Sequence, residues 1–462
     1  MDAAAPTLDD LWPCFQGIIP ATIATCARDG TPNISYVSQV HYVDSSHVAI
    51  SFQFFNKTHK NIAEHPFACV MVLDPRVLQA YRLYLKYERS ESSGPLFEAM
   101  SLQLQAIASH AGMSDVFRLR AADIYEVRRI ERVDSITSLP TPPADDRPAS
   151  LFVHHDLESL LVITERMNRA ELLGDLLETT LQLLEEFFGL HHTMILLADD
   201  RQGKLLTIAS RGYPENGVGS EVGYGEGLIG TVALAKHPLR LSGLDHTLRY
   251  ARAVRERAEA VGGPGAVCRE IPLPGLSGAS TQIAVPLMIR GRCLGVLVAE
   301  SLESLRLLPR EETLLAIVGS HLAAGIDHLG RDVEEPAALE AARPKPVQPA
   351  RTAAPTRSFC FYHADDCVFV DGEYLIRNVP GRIFWRILRQ YHDEKRVEFT
   401  NRELRMDSWL GLPEWKDNFE SRLILLRKRL EQKCPEVRLV QRGRGRFALE
   451  TDAAISPSEK PA

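Results

Sequence analysis

Two stretches that cannot form a packed face set the architecture of this chain. Residues 134–150 read DSITSLPTPPADDRPAS, and a second run over about 331–358 includes EEPAALEAARPKPVQPARTAAPTRS. Both mix proline, alanine and charge without apolar periodicity, so both read as linkers. They divide 462 residues into three foldable segments, about 8–133, 151–329 and 357–450, each of ordinary domain size. No internal repeat is present, and the last dozen residues read as a frayed tail.

Several function classes fall away on composition. No apolar run approaches the ~18–20 residues that span a bilayer, so no membrane partner is expected. The start, MDAAAPTLDDLW, is acidic and lacks the basic-then-apolar order of an export signal; cytoplasmic residence is the expectation. The eight cysteines are scattered without a CxxC pair, which argues against a disulfide framework or a zinc knuckle. His154-His155 and His191-His192 are adjacent pairs whose side chains diverge on any regular element, so no metal site is assigned.

Charge is unevenly placed. The chain carries −7 overall, yet Thr356 to Glu450 holds 19 Lys and Arg against 15 Asp and Glu, leaving 34 against 45 elsewhere. A basic end on an acidic body suits a phosphate-binding module. Within that end, Cys367–Leu375 alternates about an Asp371-Gly372 turn, which predicts a hairpin. Ile383, Phe384, Ile387, Leu388 and Tyr391 have helical spacing, and Thr400 with Glu403 forms a capping box opening a short helix. A third helix is expected from about Asp417 to Lys433. Phe419, Leu423, Leu426 and Leu430 share one face of it, while Asn418, Ser421, Arg422, Leu425, Lys428, Arg429 and Gln432 share the other. Val437–Val440 and Phe447–Leu449 read as strands joined by the basic turn Arg442-Gly443-Arg444-Gly445-Arg446.

This order, with VDGEYLI, SWLG, LRKRLEQ and VRLVQRGRGRFALE, resembles the OmpR/PhoB-like winged-helix DNA-binding domain. The resemblance implies that the third helix enters the major groove of double-stranded DNA and the hairpin acts as the wing. Asn418, Ser421 and Arg422 would face bases or adjoining phosphates, Lys428 and Arg429 continue that face, and Arg442, Arg444 and Arg446 serve the wing. Arg446 stands where the family places an aromatic after the second glycine. No phosphoacceptor receiver pattern lies upstream. The reading requires both the helix face and the turn to be open to a duplex.

In the middle segment one long helix is expected from about Leu157 to Phe188, then strands at Thr193–Ala198 and Leu205–Ser210. The loop VGYGEGLIG over Val222–Gly230 should open a helix, Gln282–Ile289 and Cys293–Glu300 should pair about Arg290-Gly291-Arg292, and a last helix should span Glu311–His328. The glycine spacing lacks the downstream acidic residue of a dinucleotide site. GYGEGLIGTVA and QIAVPLMIRGRCLGVLVAESL resemble a GAF domain, a small-molecule sensor fold, which implies an effector of unknown identity under the excursion at about 241–280. Cys268 in that excursion reads as an ordinary thiol.

The N-terminal segment alternates at Ile18–Ala27, turns at Arg28-Asp29-Gly30, returns through Asn33–Tyr42, and adds strands at Val48–Phe54 and Ala68–Leu73, a barrel-like spacing. TIATCARDGTPNISYVSQVHYVD and SFQFFNKTHKNIAEHPFACVMVLDP resemble the pyridoxamine 5'-phosphate oxidase-like split barrel, a flavin-binding fold that usually dimerises. The resemblance places Lys57 and Thr58 at the FMN phosphate, with Lys60 and Asn61 beside them. Ser35 and Val40 stand where the oxidases place two cations, and YLKYERSESSGPLFEAM with a helix to about residue 111 replaces their substrate motif. Binding or sensing is expected here rather than catalysis.

The expected class is thus multi-domain α+β: split β-barrel, GAF sensor, winged helix-turn-helix. The functional expectation is a homodimeric, ligand- or redox-responsive transcriptional regulator. The alternatives are a flavin-dependent oxidoreductase with regulatory appendages and a protein-docking scaffold.

Overall fold

A computed structural model describes residues 6–460 apart from 18, 38, 53–56, 76, 111–117, 134–148, 200–202, 214–216, 244–274, 277, 304–305, 331–355, 364–365, 411–418 and 444. Both linkers, Cys268, Asn418 and Arg444 therefore lie wholly or largely outside the described residues.

The first unit opens with a 3-10 helix, Asp9–Phe15, and strands β1 (Ala21–Cys26), β2 (Pro32–Val37), β3 (Val40–Asp44) and β4 (His47–Phe52). Helix α1 (Lys57–Glu64), β5 (Phe67–Asp74), β6 (Gln79–Glu91), α2 (Pro95–His110) and β7 (Ala121–Arg132) follow. The sheet order is β2-β1-β5-β6-β7-β4-β3, so two strands consecutive in sequence form opposite edges and the barrel stays split between them. The expected single return strand over 33–42 is two strands, because β2 pairs β1 while β3 pairs β4. Alternation of apolar positions fills the interior with Ile23, Val40, Val48, Val70, Val72, Leu83 and Leu85.

In the second unit α3 (Ala149–Met167) and α4 (Leu173–Phe188) replace the expected continuous helix. Leu172 is extended, and His321 bonds the Asn168 amide oxygen at 2.9 Å in the turn between them. A straight rod would carry one apolar stripe past the other, whereas the break lets Ile163, Met167, Leu176 and Leu177 share one core with α6 (Pro309–Gly330). The sheet order is β10-β9-β8-β13-β12-β11, from β8 (His192–Asp199), β9 (Lys204–Arg211), β10 (Glu221–Gly223), β11 (Leu239–Ser242), β12 (Thr281–Ile289) and β13 (Arg292–Ser301). Helix α5 (Gly227–Ala235) covers the other sheet face. Gly230 is demanded by packing: a Cβ there would lie 2.1 Å from the Gly223 carbonyl oxygen.

The third unit places β14 (Thr356–Tyr362), β15 (Cys367–Val370) and β16 (Glu373–Ile376) in a sheet, followed by α7 (Asn378–Glu394), β17 (Glu398–Thr400), α8 (Asn401–Met406) and α9 (Phe419–Lys433). The hairpin β18 (Val437–Gln441) and β19 (Arg446–Thr451) pairs with β17. Asp371 and Gly372 both take positive φ at the expected hairpin turn, and the Thr400–Glu403 capping box is formed. The expected frayed tail is instead strand β20 (Ala454–Lys460), parallel to β14. Its sequence has little apolar signal; backbone pairing and Glu459, which accepts from Trp385 Nε1 at 3.0 Å and pairs with Arg389, hold it.

Candidate sensor sites and the basic output face

On the barrel, α1 starts where β1 and β2 turn polar side chains toward it. Thr58 Oγ1 lies 2.9 Å from Asn33 Nδ2 and 2.8 Å from Ser35 Oγ. Asn61 is buried and donates to Thr25 Oγ1 at 3.1 Å, so its amide braces α1 on β1. Lys57 and Lys60 are exposed. Val40 is 2% exposed, inside the barrel core. The cluster is therefore neutral hydroxyls and amides, and a phosphate could draw charge only from the two rim lysines. On the far side of α1, His59 stacks on Phe52 with centroids 4.0 Å apart and faces Asp123 at 3.7 Å. Burial pushes the Asp123 carboxyl upward, although Ser90 donates to it at 2.5 Å.

The segment that stands where the oxidases keep a substrate motif is a bridge. Leu102, Ala106 and Ile107 of α2 pack on the α5 side of the GAF-like sheet with Leu228, Ile229 and Val232. Ser109 Oγ accepts from Gly227 N at 2.7 Å and donates to the Gly225 carbonyl at 3.1 Å, capping α5 from another domain. Nothing local in the sequence marks Ser109, because its partner is more than a hundred residues away.

Inside the middle unit, Glu300 is 3% exposed. Gln282 Nε2 donates to it at 2.6 Å and Leu276 N at 2.7 Å, with Tyr213 beside it. Burial outweighs these donors and pushes its carboxyl up to about 7. The face of the sheet under α5 thus holds a buried carboxyl whose two oxygens are already met by Gln282 and by Leu276 N.

The C-terminal cations are divided. Phe419, Leu423, Leu426 and Leu430 are fully buried in their own unit, as their spacing predicts. The opposite face of α9, expected to be open, is covered by the middle unit. Ser421 and Arg422 are each 6% exposed, and Arg422 pairs with Asp199 at 3.7 Å. Lys428 meets Glu178 at 3.0 Å. Arg429 donates to the Leu375 carbonyl at 3.0 Å and lies over Tyr374, within its own unit. Ile424 and Leu425, which interrupt the polar face, supply the reason: they are apolar, and burying them against the sensor is favourable. The hairpin stays outside, with Arg446 exposed and Arg442 exposed but paired with Glu450. Arg446 opens β19 directly before the buried Phe447, which fixes the register of the turn.

Among the described residues no helix is long and apolar enough to cross a membrane, and no group of three metal-ligating side chains occurs.

Comparison with known proteins assigns two of the three units. The GAF domain model matches residues 172–326 and the pyridoxamine 5'-phosphate oxidase model residues 12–128. A search of curated proteins found no match. Among solved structures, the GAF domain of a phosphoenolpyruvate-protein phosphotransferase from Coxiella burnetii is 26% identical over 38% of this chain and 94% of that one, with a TM-score of 0.31. An FMN-binding protein from Syntrophomonas wolfei is 18% identical over 28% and 90%, with a TM-score of 0.24. HupZ from group A Streptococcus is 21% identical over 27% and 96%, with a TM-score of 0.22. The chain therefore carries a pyridoxamine 5'-phosphate oxidase-like domain and a GAF domain in series, an arrangement of sensor-type folds ahead of a third, basic unit.

Proposed function

We propose that this protein is a cytoplasmic, homodimeric DNA-binding regulator, organised as an 8–133 barrel, a 151–329 GAF sensor and an output domain from 357 onward. The observation that carries the reading is the order of the last unit. A sheet, three helices and a basic hairpin follow one another with α9 seated on a leucine stripe, which is how a winged helix presents its reader helix and wing. Asn418, Ser421, Arg422 and Lys428 then serve the groove, Arg429 joins them only on leaving the Leu375 carbonyl it bonds, and Arg442, Arg444 and Arg446 serve the backbone beside it.

The sensor half supports regulation rather than catalysis. Helix α2 ties the barrel to the GAF glycine loop through Ser109, which gives the two domains a shared hydrogen-bonded element. A second copy of the chain would cover Ile34 and Tyr36, which are 73% and 68% exposed on edge strand β2. For the barrel, FMN is the cofactor its fold suggests. Lys57, Lys60 and Thr58 would meet the phosphate, and the bound flavin would supply redox sensing. Neutral Ser35 and buried Val40 add no cation, so no flavin-dependent step is assigned.

The scaffold reading is favoured by one observation, Leu425 at the centre of the covered face of α9. Selection of bound fragments from random duplex DNA, with the visible spectrum of the same preparation, decides among the three. Enriched duplexes support the regulator. A flavin spectrum with turnover of a reduced cofactor and no enrichment supports the oxidoreductase, and neither result leaves the scaffold.

A further inference from the structure

We propose that the GAF domain is itself the competitor of nucleic acid for the third unit, a latch in which sensor carboxylates hold the cations that would otherwise meet phosphates. The inference rests on the DNA-binding reading of that unit. Among the described residues three ion pairs cross the seam, and in each the cation belongs to the third unit and the anion to the sensor. They are Arg422 with Asp199 at 3.7 Å, Lys428 with Glu178 at 3.0 Å and Arg377 with Glu221 at 2.9 Å. The acids come from the end of β8, from α4 and from β10, so three separate elements each place a carboxylate against the third unit, with the sensor's own Lys204 beside Glu221. Burial alone would raise the Glu221 carboxyl, yet hydrogen bonds from Lys204 and Arg377 hold it below its ordinary value.

The apolar part of the seam is equally shaped. Gly174 and Gly219 of the sensor leave room for Ile424 and Leu425. A Cβ on Gly219 would lie 3.4 Å from Leu425 Cδ1, and one on Gly174 3.9 Å from Ile424 Cδ1. Docking and reading exclude each other, because a major groove about 12 Å wide admits a helix only with its outer face bare. A polar cleft of about 610 Å³ opens at the same seam, between Lys204, Glu221 and Gly223 of the sensor and Tyr374 and Arg377 of the output unit. Glu226, which accepts from Gly223 N at 2.8 Å, joins that cleft to the loop capped by Ser109.

The latch is tested in the full chain with two unlike variants. Glu178→Gln/Asp199→Asn/Glu221→Gln removes the carboxylates, and Gly174→Leu wedges the seam without changing charge. Hydrogen–deuterium exchange over 419–433 reports release, and fluorescence anisotropy with a labelled mixed-sequence duplex about three turns long reports binding. The expected result is faster exchange of α9 and duplex binding tighter by about tenfold in both variants, the change that follows if about nine molecules in ten are latched. A control, Glu64→Gln/Glu98→Gln/Glu303→Gln, neutralises three exposed acids away from the seam and should alter neither readout. Unchanged exchange in both variants overturns the latch. So does release without tighter binding where the wild type binds, or an equal gain in the control. If α9 is released and no form binds the duplex at any salt concentration, the DNA-binding reading fails, and the latch with it.

Discussion

Helix α9 and the β18–β19 hairpin are near neighbours in sequence and carry the same kind of charge, and the fold treats them oppositely. The helix turns Arg422 and Lys428 onto sensor carboxylates, whereas the hairpin keeps Arg442 and Arg446 at the surface. Charge composition marks both as basic and says nothing of availability. What separates them is the apolar pair Ile424 and Leu425, which gives the helix a reason to dock that the hairpin lacks. An approaching duplex would therefore meet the hairpin first.

The largest expected effect separates the two faces of α9. Leu423→Ala empties a fully buried site within the unit and should cost about 3–5 kcal/mol in urea unfolding. Leu425→Ala thins only the seam and should cost about 2 kcal/mol or less. Equal losses would erase the distinction between core stripe and docking face.

A second contrast lies among the sensor's own acids. Asp199, Glu178 and Glu221 are matched by cations, whereas Glu300 is surrounded by neutral donors and sits up to about 7. Its folded pKa lies above the unfolded value, so the folded state holds that proton more tightly. The resulting stability is complete below about pH 4.5 and is lost as pH rises through 7, a change of roughly 3 kcal/mol. Glu300→Gln should flatten the pH dependence of GAF unfolding over that window, and an unchanged profile would contradict the assignment.

Smaller effects sharpen the comparison. On the proposed DNA-binding function, Arg442→Ala and Arg446→Ala should each lower the slope of log affinity against log salt by about 1, because each would remove one phosphate contact. Lys428→Ala should change thermal stability by no more than about 0.2–1 kcal/mol, since Glu178 is 66% exposed and such pairs are weak.

Most local elements of this fold were legible because periodicity and turn chemistry act over a few residues. The leucine stripe of α9, the Thr400–Glu403 box and the Asp371-Gly372 turn all follow from neighbours in sequence. What escaped depends on distant partners. The break between α3 and α4 answers to α6, strand β20 answers to β14, and Ser109 finds α5 across 118 residues. The polar face of α9 was read correctly as a face and wrongly as an open one. Its covering acids lie on α4, β8 and β10, where no sequence pattern singles them out. For the barrel, the sequence does not show that Asn61 is buried against Thr25 while Lys57 and Lys60 stay exposed, because which side chain of α1 turns inward depends on β1.

The central claim is that the third unit grips duplex DNA through phosphate contacts. Anisotropy of the full chain with a mixed-sequence duplex, between about 50 and 200 mM salt, measures it directly. The account predicts binding whose logarithm falls linearly with log salt, with a shallower line for the Arg442→Ala/Arg446→Ala double variant. Absence of binding at the lowest salt in both wild type and latch-free variants, or a slope that the arginine substitutions leave unchanged, would contradict it.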